Sequence, residues 1–147
     1  MVKYLSENEE EFFMTKSHRK LAREKAVFAI YQWLLTNATK EELHLYLITC
    51  KALCEDENAI NYSRLAIDTI MEQYASYRLE VSHYLKEGWT FSRLGYLEQA
   101  ILLVACFEIK NQELDKKIIA NEAVELAKQY CDSTSYKFIN GILSNIN

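Results

Sequence analysis

Proline is missing from this chain, and glycine occurs only three times in 147 residues, at Gly88, Gly95 and Gly141. Average usage would supply about seven prolines and about ten glycines. Sandwiches and barrels need frequent turns and draw them from such residues, so an all-β fold is excluded. Long apolar runs are missing too. The longest, AILLVACF at 100–107, is far too short to span a bilayer. The N-terminal MVKYLSENEEEFF is acidic where a secretory signal has a basic start and an apolar middle. The expectation is a soluble, cytoplasmic protein with no membrane contact.

Chemistry-bearing patterns are scarce as well. There is no Gly-rich phosphate loop, no Ser-His-Asp pattern and no metal-ligand cluster. His18, His44 and His83 are scattered and read as surface or capping residues. The four cysteines are Cys50, Cys54, Cys106 and Cys131. Cys50 and Cys54 stand four apart, not in a Cys-x-x-Cys pair, and no His lies at zinc spacing from any of them. They read as buried, reduced thiols. No catalytic residue, metal or cofactor is expected, and the chain is not read as an enzyme.

What remains is helical. Half the residues are hydrophobic and 26% are charged, a globular composition with enough length for one core. The first helix is expected over about 17–37 with Ser17 as N-cap. TKEE at 39–42 is a capping box that opens a second helix to about 54. Ile60, Ile67, Ile70, Met71 and Tyr74 share one face of a third, over about 58–75. A short helix over about 77–87 should end at Gly88. The stretch from 90 to 109 is apolar on every side at its middle, which marks the buried central element. Asp115 should cap a helix over 116–131. There Ile119, Ala123, Leu126, Ala127 and Tyr130 face inward, while Asn121, Glu122, Glu125 and Lys128 face away. In the last helix, opened by Ser133 or Ser135, the residues Ile139, Ile142, Leu143 and Ile146 share the buried face. Lys137 and Asn140 fall opposite. Phe138 sits on the flank, either closing the edge of the core or offering a π-face to a base.

Charge is uneven on a chain of formal net charge −4. Residues 1–14 are acidic and residues 15–31 are strongly basic. The first fifteen residues read as a flexible acidic tail, and 16–147 as a single domain. Lys16, Arg19, Lys20 and Arg23 stand at i, i+3, i+4 and i+7, one stripe at the start of the first helix. Cations are mildly unfavourable at a helix N-terminus, where Asp or Glu is the usual device. Tyr31 lies further along nearly the same line. Basic groups for phosphates and an aromatic for stacking are what a single RNA strand requires. A solvated basic face is the alternative.

NEAVELAKQY at 121–130, followed by SYKFINGIL at 135–143, resembles the NusB family of transcription antitermination factors. AREKAVFAIYQ at 22–32 is similar to that family's first helix, and LEQAILLVACFEI at 97–109 to its central one. The resemblance spans about 16–146. An acidic residue common before the last helix's Phe is absent near Thr134. The resemblance implies an all-α NusB-like helical bundle of two three-helix sub-bundles sharing a long helix. It implies a non-enzymatic adaptor that binds boxA-type single-stranded RNA together with a small-subunit ribosomal protein in the NusE role. Acting on the transcription elongation complex, the pair would support ribosomal RNA synthesis. Carried over residue by residue, the RNA-binding set is Lys16, Arg19, Lys20, Arg23, Tyr31, Lys137, Phe138 and Asn140. Glu98, Asn121 and Glu122 fall at structural or partner-facing positions, Glu98 toward the ribosomal protein. The rival reading is a protein–protein or homodimerisation module without RNA contact.

Overall fold

A computed structural model of the chain describes residues 14–111 and 114–146. The reading of residues 1–15 as an acidic tail falls, up to residue 13, outside the described residues. Among the described residues the regular elements are helices: α1 (Lys16–Thr36), α2 (Lys40–Ile48), α3 (Lys51–Cys54), α4 (Glu57–Glu72), α5 (Tyr74–Ser82), α6 (Tyr96–Asn111), α7 (Lys116–Tyr130) and α8 (Ser135–Asn145). A single 3₁₀ turn, Phe91–Arg93, precedes α6.

The central element is α6, where every residue from Gln99 to Ile109 is buried. It packs against α1, α4, α5, α7 and α8. The helices α2 and α4 pack on α1 in turn, and α7 and α8 pack on each other. On α1 the buried positions Ala22, Ala26, Val27, Ala29 and Ile30 are mostly small, which lets the α1 backbone approach its neighbours closely. Polar groups drawn into this core are satisfied. Ser63 Oγ donates to the Ala22 carbonyl at 2.8 Å, and Gln99 Nε2 to the Leu94 carbonyl at 2.9 Å.

Helix ends follow local chemistry, with several departures from the sequence reading. Thr15, not Ser17, caps α1, its side chain accepting from the His18 amide. With glycine so scarce, α1 stops at Asn37, which takes the left-handed conformation at φ 57° and donates to the Trp33 carbonyl. Asn bears that conformation better than other residues with a Cβ. The capping box at Thr39 and Glu42 forms in both directions. The helix it opens breaks at Thr49 and Cys50 instead of running to 54. Asp56 then caps α4 through the amides of Asn58 and Ala59.

Gly88 does adopt a left-handed φ of 87°, but in a turn beyond α5, which has already ended at Ser82. The expected helix over 90–109 divides into the 3₁₀ turn and α6. Gly95 stands between them, with Glu98 folding back so that its Oε1 accepts from the Gly95 amide at 2.8 Å. A Cβ at position 95 would lie 2.9 Å from that oxygen, so a side chain there would make the Glu98 carboxylate shift. Asp115 caps α7 as expected. No side chain caps α8 from Thr134. Asp132 instead accepts from the Thr134 and Ser135 amides, supplying an acidic group two residues before the N-cap position.

All four cysteines are free thiols, but the expected burial holds only for Cys106, its thiol pushed up to about 12 by loss of solvent. Cys54 is exposed, and Cys50 and Cys131 are half-buried. Two histidines are paired rather than loose: His18 Nδ1 lies 2.6 Å from Asp56 and His44 Nε2 lies 2.7 Å from Asp68.

Candidate nucleic-acid interface

The basic stripe opens α1, whose first turn carries no acidic residue. Lys16 and Lys20 are exposed. Arg19 is half-buried, its guanidinium 5.3 Å from the centre of the Tyr62 ring. Lys20, 62% exposed, holds its Nζ 3.6 Å from Glu122 Oε1 on α7.

Arg23 does not belong to this surface. Its side chain is 5% exposed, so it is not the phosphate contact that the i, i+7 spacing suggested. Its Nε and Nη2 donate to the two oxygens of Glu108 at 2.6 and 3.0 Å, a forked pair inside the core. Its Nη1 donates to Glu122 Oε1 at 3.2 Å. Burial opposes the charge, but the Glu108 hydrogen bond and the charges of Glu108 and Glu122 outweigh it, and the Arg23 pKa is raised. The Tyr62 hydroxyl donates to Glu108 Oε2 at 2.7 Å. Burial first, and then that carboxylate, drive the phenol pKa up. One cation thus ties α1 to α6 and α7, beneath the stripe.

Glu108 and Tyr62 were overlooked by the sequence reading of the site. A signal existed. Glu108 stands at the end of an otherwise apolar stretch, 100–109, and a carboxylate there requires a cation. Arg23 heads the core line Ala26, Val27 and Ile30, as well as continuing the line from Lys16.

Glu122 does not face away, as its place beside Asn121 and Glu125 suggested. It is 18% exposed and joins Arg23 to Lys20. Asn121 is exposed. Glu98 has both oxygens engaged inside the molecule, Oε1 by the Gly95 amide and Oε2 by the Ser135 hydroxyl. It therefore ties the start of α6 to the start of α8.

On α8, Lys137 and Asn140 are exposed and Phe138 is half-buried against the core. Tyr31 is half-buried as well. It lies eleven residues past Lys20, about 16 Å along the axis, too far to share a nucleotide with it. The structure brings Lys16, Arg19, Lys20 and Glu122 together. Phe138 and Asn140 belong to a second element, related to the stripe through α7, whose Glu122 and Tyr130 side chains reach α1 and which packs on α8. Between α1 and α7 runs an open groove of about 300 Å³, with Lys20 and Glu122 in its lining. Beyond it the Phe28 and Tyr130 rings meet edge to face at 5.0 Å, and the Tyr130 hydroxyl donates to Glu24.

Among the described residues no group of His, Cys, Asp and Glu side chains could hold a metal ion, and no helix is long and apolar enough to cross a membrane. Fold and surface together define an all-α helical bundle whose first helix presents cations over a buried ionic ladder.

The NusB family model matches residues 20–147, and the chain belongs to that family. It is 33% identical over 144 residues to the transcription antitermination protein NusB of Fusobacterium nucleatum, covering 94% of each chain. To the corresponding protein of Burkholderia mallei it is 34% identical over 141 residues, covering 90% of each. Among solved structures, Thermotoga maritima NusB superimposes with a TM-score of 0.79 at 27% identity, over 87% of this chain and 89% of that one. A NusB chain crystallised with NusE and double-stranded RNA superimposes with a TM-score of 0.72 at 27% identity, over 90% and 97%. The family is one of transcription antitermination factors.

Proposed function

We propose that this chain is an RNA-binding adaptor of transcription antitermination. It takes boxA-type RNA together with a small-subunit ribosomal protein in the NusE role, joins the elongation complex and supports ribosomal RNA transcription. It acts by binding alone, without catalysis, in the cytoplasm where transcripts emerge. The observation that carries this reading is the cation stripe on α1, Lys16, Arg19 and Lys20, set at a helix end where charge complementarity to the backbone asks for acids. The NusB neighbour bound to NusE and RNA supports it.

The RNA in that neighbour is double-stranded, whereas the aromatic groups here, Phe138 above all, suit an unpaired strand. A titration of labelled boxA-like RNA, single-stranded and duplexed, with and without the ribosomal protein, tests both points. The expected result is tighter binding of the single strand in the ternary mixture than to either protein alone. Equal affinity with and without the ribosomal protein would overturn the adaptor reading.

A further inference from the structure

We propose that the groove between α1 and α7 reads a nucleobase, with Glu122 accepting from the exocyclic amino group of a base whose phosphate takes Lys20. The proposal rests on the RNA-binding reading above and adds what that surface selects.

The reasoning begins with a charge imbalance. Arg23 is one cation between two carboxylates. Glu108, 1% exposed, takes two of its donors and Glu122 only one. Glu122 is therefore the surplus anion of the ladder, and Lys20 offsets it from the solvent side at 3.6 Å. An RNA phosphate that captures Lys20 removes that partner. A carboxylate only 18% exposed, left with one donor, calls for another.

The groove dictates where that donor comes from. Glu24 and Glu125 line it beside Glu122, and the Tyr130 hydroxyl fixes Glu24 in place. Lys20 and Arg23 line it too, but both are already held by carboxylates, and three acids against two cations leave the groove net negative, which disfavours a phosphate. A base is not disfavoured: Leu21 and Leu126 offer apolar surface to its flat faces, and its amino edge meets acceptors. A volume of about 300 Å³ suits a single base and not a folded segment. The amino groups of cytosine, adenine and guanine are donors to Glu, whereas uracil has no amino group and its one base donor, N3–H, lies between two carbonyl oxygens that repel a carboxylate. Lys20 belongs both to the cation stripe and to the rim of the groove, so one nucleotide can place its phosphate outside and its base within.

Oligocytidine and oligouridine of equal length test this, since they share a backbone and differ at the amino group. Binding of each to the full chain is followed by fluorescence anisotropy at neutral pH. The intact protein should prefer oligocytidine by about tenfold. Glu122→Gln keeps an oxygen for Arg23, releases Lys20 and offers an amide that also donates to uracil. It should tighten oligouridine about tenfold, leave oligocytidine within about threefold, and so abolish the preference. A urea midpoint confirms that the variant folds. Should it fail to fold, Lys20→Met, which leaves the buried ladder intact, should weaken both oligomers alike and reduce the salt slope by about 0.7 while keeping the preference.

No preference in the intact protein would overturn the proposal, as would equal shifts for both oligomers in Glu122→Gln or an unchanged slope in Lys20→Met. A loss confined to binding of the ribosomal protein would assign the groove to a protein cation and overturn it equally. Binding of boxA-type RNA by the intact protein without base preference defeats this inference alone. No binding of any RNA defeats the adaptor reading as well.

Discussion

At the scale of single residues, Arg23 shows how far spacing informs and where it stops. A stripe at i, i+3, i+4 and i+7 gives direction around a helix but not depth. The same arithmetic that aligns Arg23 with Lys16 also aligns it with Ala26, Val27 and Ile30. Only the partner decides, and Glu108 lies 85 residues away in sequence. Removing Arg23 leaves Glu108 buried without its cation. Arg23→Ala should therefore cost about 3–5 kcal/mol of stability, read from urea unfolding, while the salt dependence of RNA binding by the folded fraction stays as it was. A reduced salt slope would return Arg23 to the phosphate contacts. Phe138 poses the opposite problem. Half-buried on α8, it belongs to the core edge whatever else it does. Phe138→Ala should lower RNA affinity by about 1–3 kcal/mol if a base stacks on its outer face. Paired measurement of stability and affinity separates the two roles, because loss of packing alone shifts the unfolding midpoint and leaves the dissociation constant of the folded protein unchanged.

At the scale of elements, helix existence was legible and helix ends were less so. The amphipathic stripes of α4, α7 and α8 and the apolar middle of α6 needed only the sequence, because burial and periodicity are the same fact seen twice. An exception is Tyr130, expected to face inward but 40% exposed, its hydroxyl held outside by Glu24. The breaks at Thr49 and at Gln73 carry no Gly or Pro. They are set by how α2–α5 pack on α1 and α6, which a local reading does not contain. The Asp56 cap shows the same coupling, since it serves its own helix and also ties α4 to α1 through His18. Partial burial would raise the Asp56 pKa, but the hydrogen bonds from His18 and from the Ala59 and Asn58 amides more than offset this and hold it below the ordinary aspartate value. A carboxylate so depressed adds stability that is fully present above the ordinary aspartate pKa and is lost as pH falls through the lowered one. Asp56→Ala should thus cost about 1 kcal/mol at neutral pH and almost nothing in strong acid, where the intact protein has lost the same contribution. Chemical denaturation at several pH values checks this, and a cost that persists unchanged into acid would show that the cap does not act through its charge.

At the scale of the whole molecule, a net charge of −4 is compatible with the proposed RNA binding only if the cations are gathered in one place. The structure narrows that place. Arg23 is neutralised inside, so the stripe on α1 presents Lys16, Arg19 and Lys20, and α8 adds Lys137 on a separate helix. This division was beyond the reach of the sequence, because it depends on how α7 holds α1 and α8 relative to each other. It has a measurable consequence. Each phosphate neutralised on a single strand contributes about −0.7 to the slope of log affinity against log salt. Three contacts on α1 alone give a slope of about −2, and a strand that also crosses α8 gives about −3. Lys137→Ala should bring the steeper slope down to the shallower one if a single strand is cradled by both helices. If the intact protein already shows a slope near −2, and Lys137→Ala leaves it there, the strand lies on α1 and the groove beside it, and α8 serves the fold or a protein partner instead.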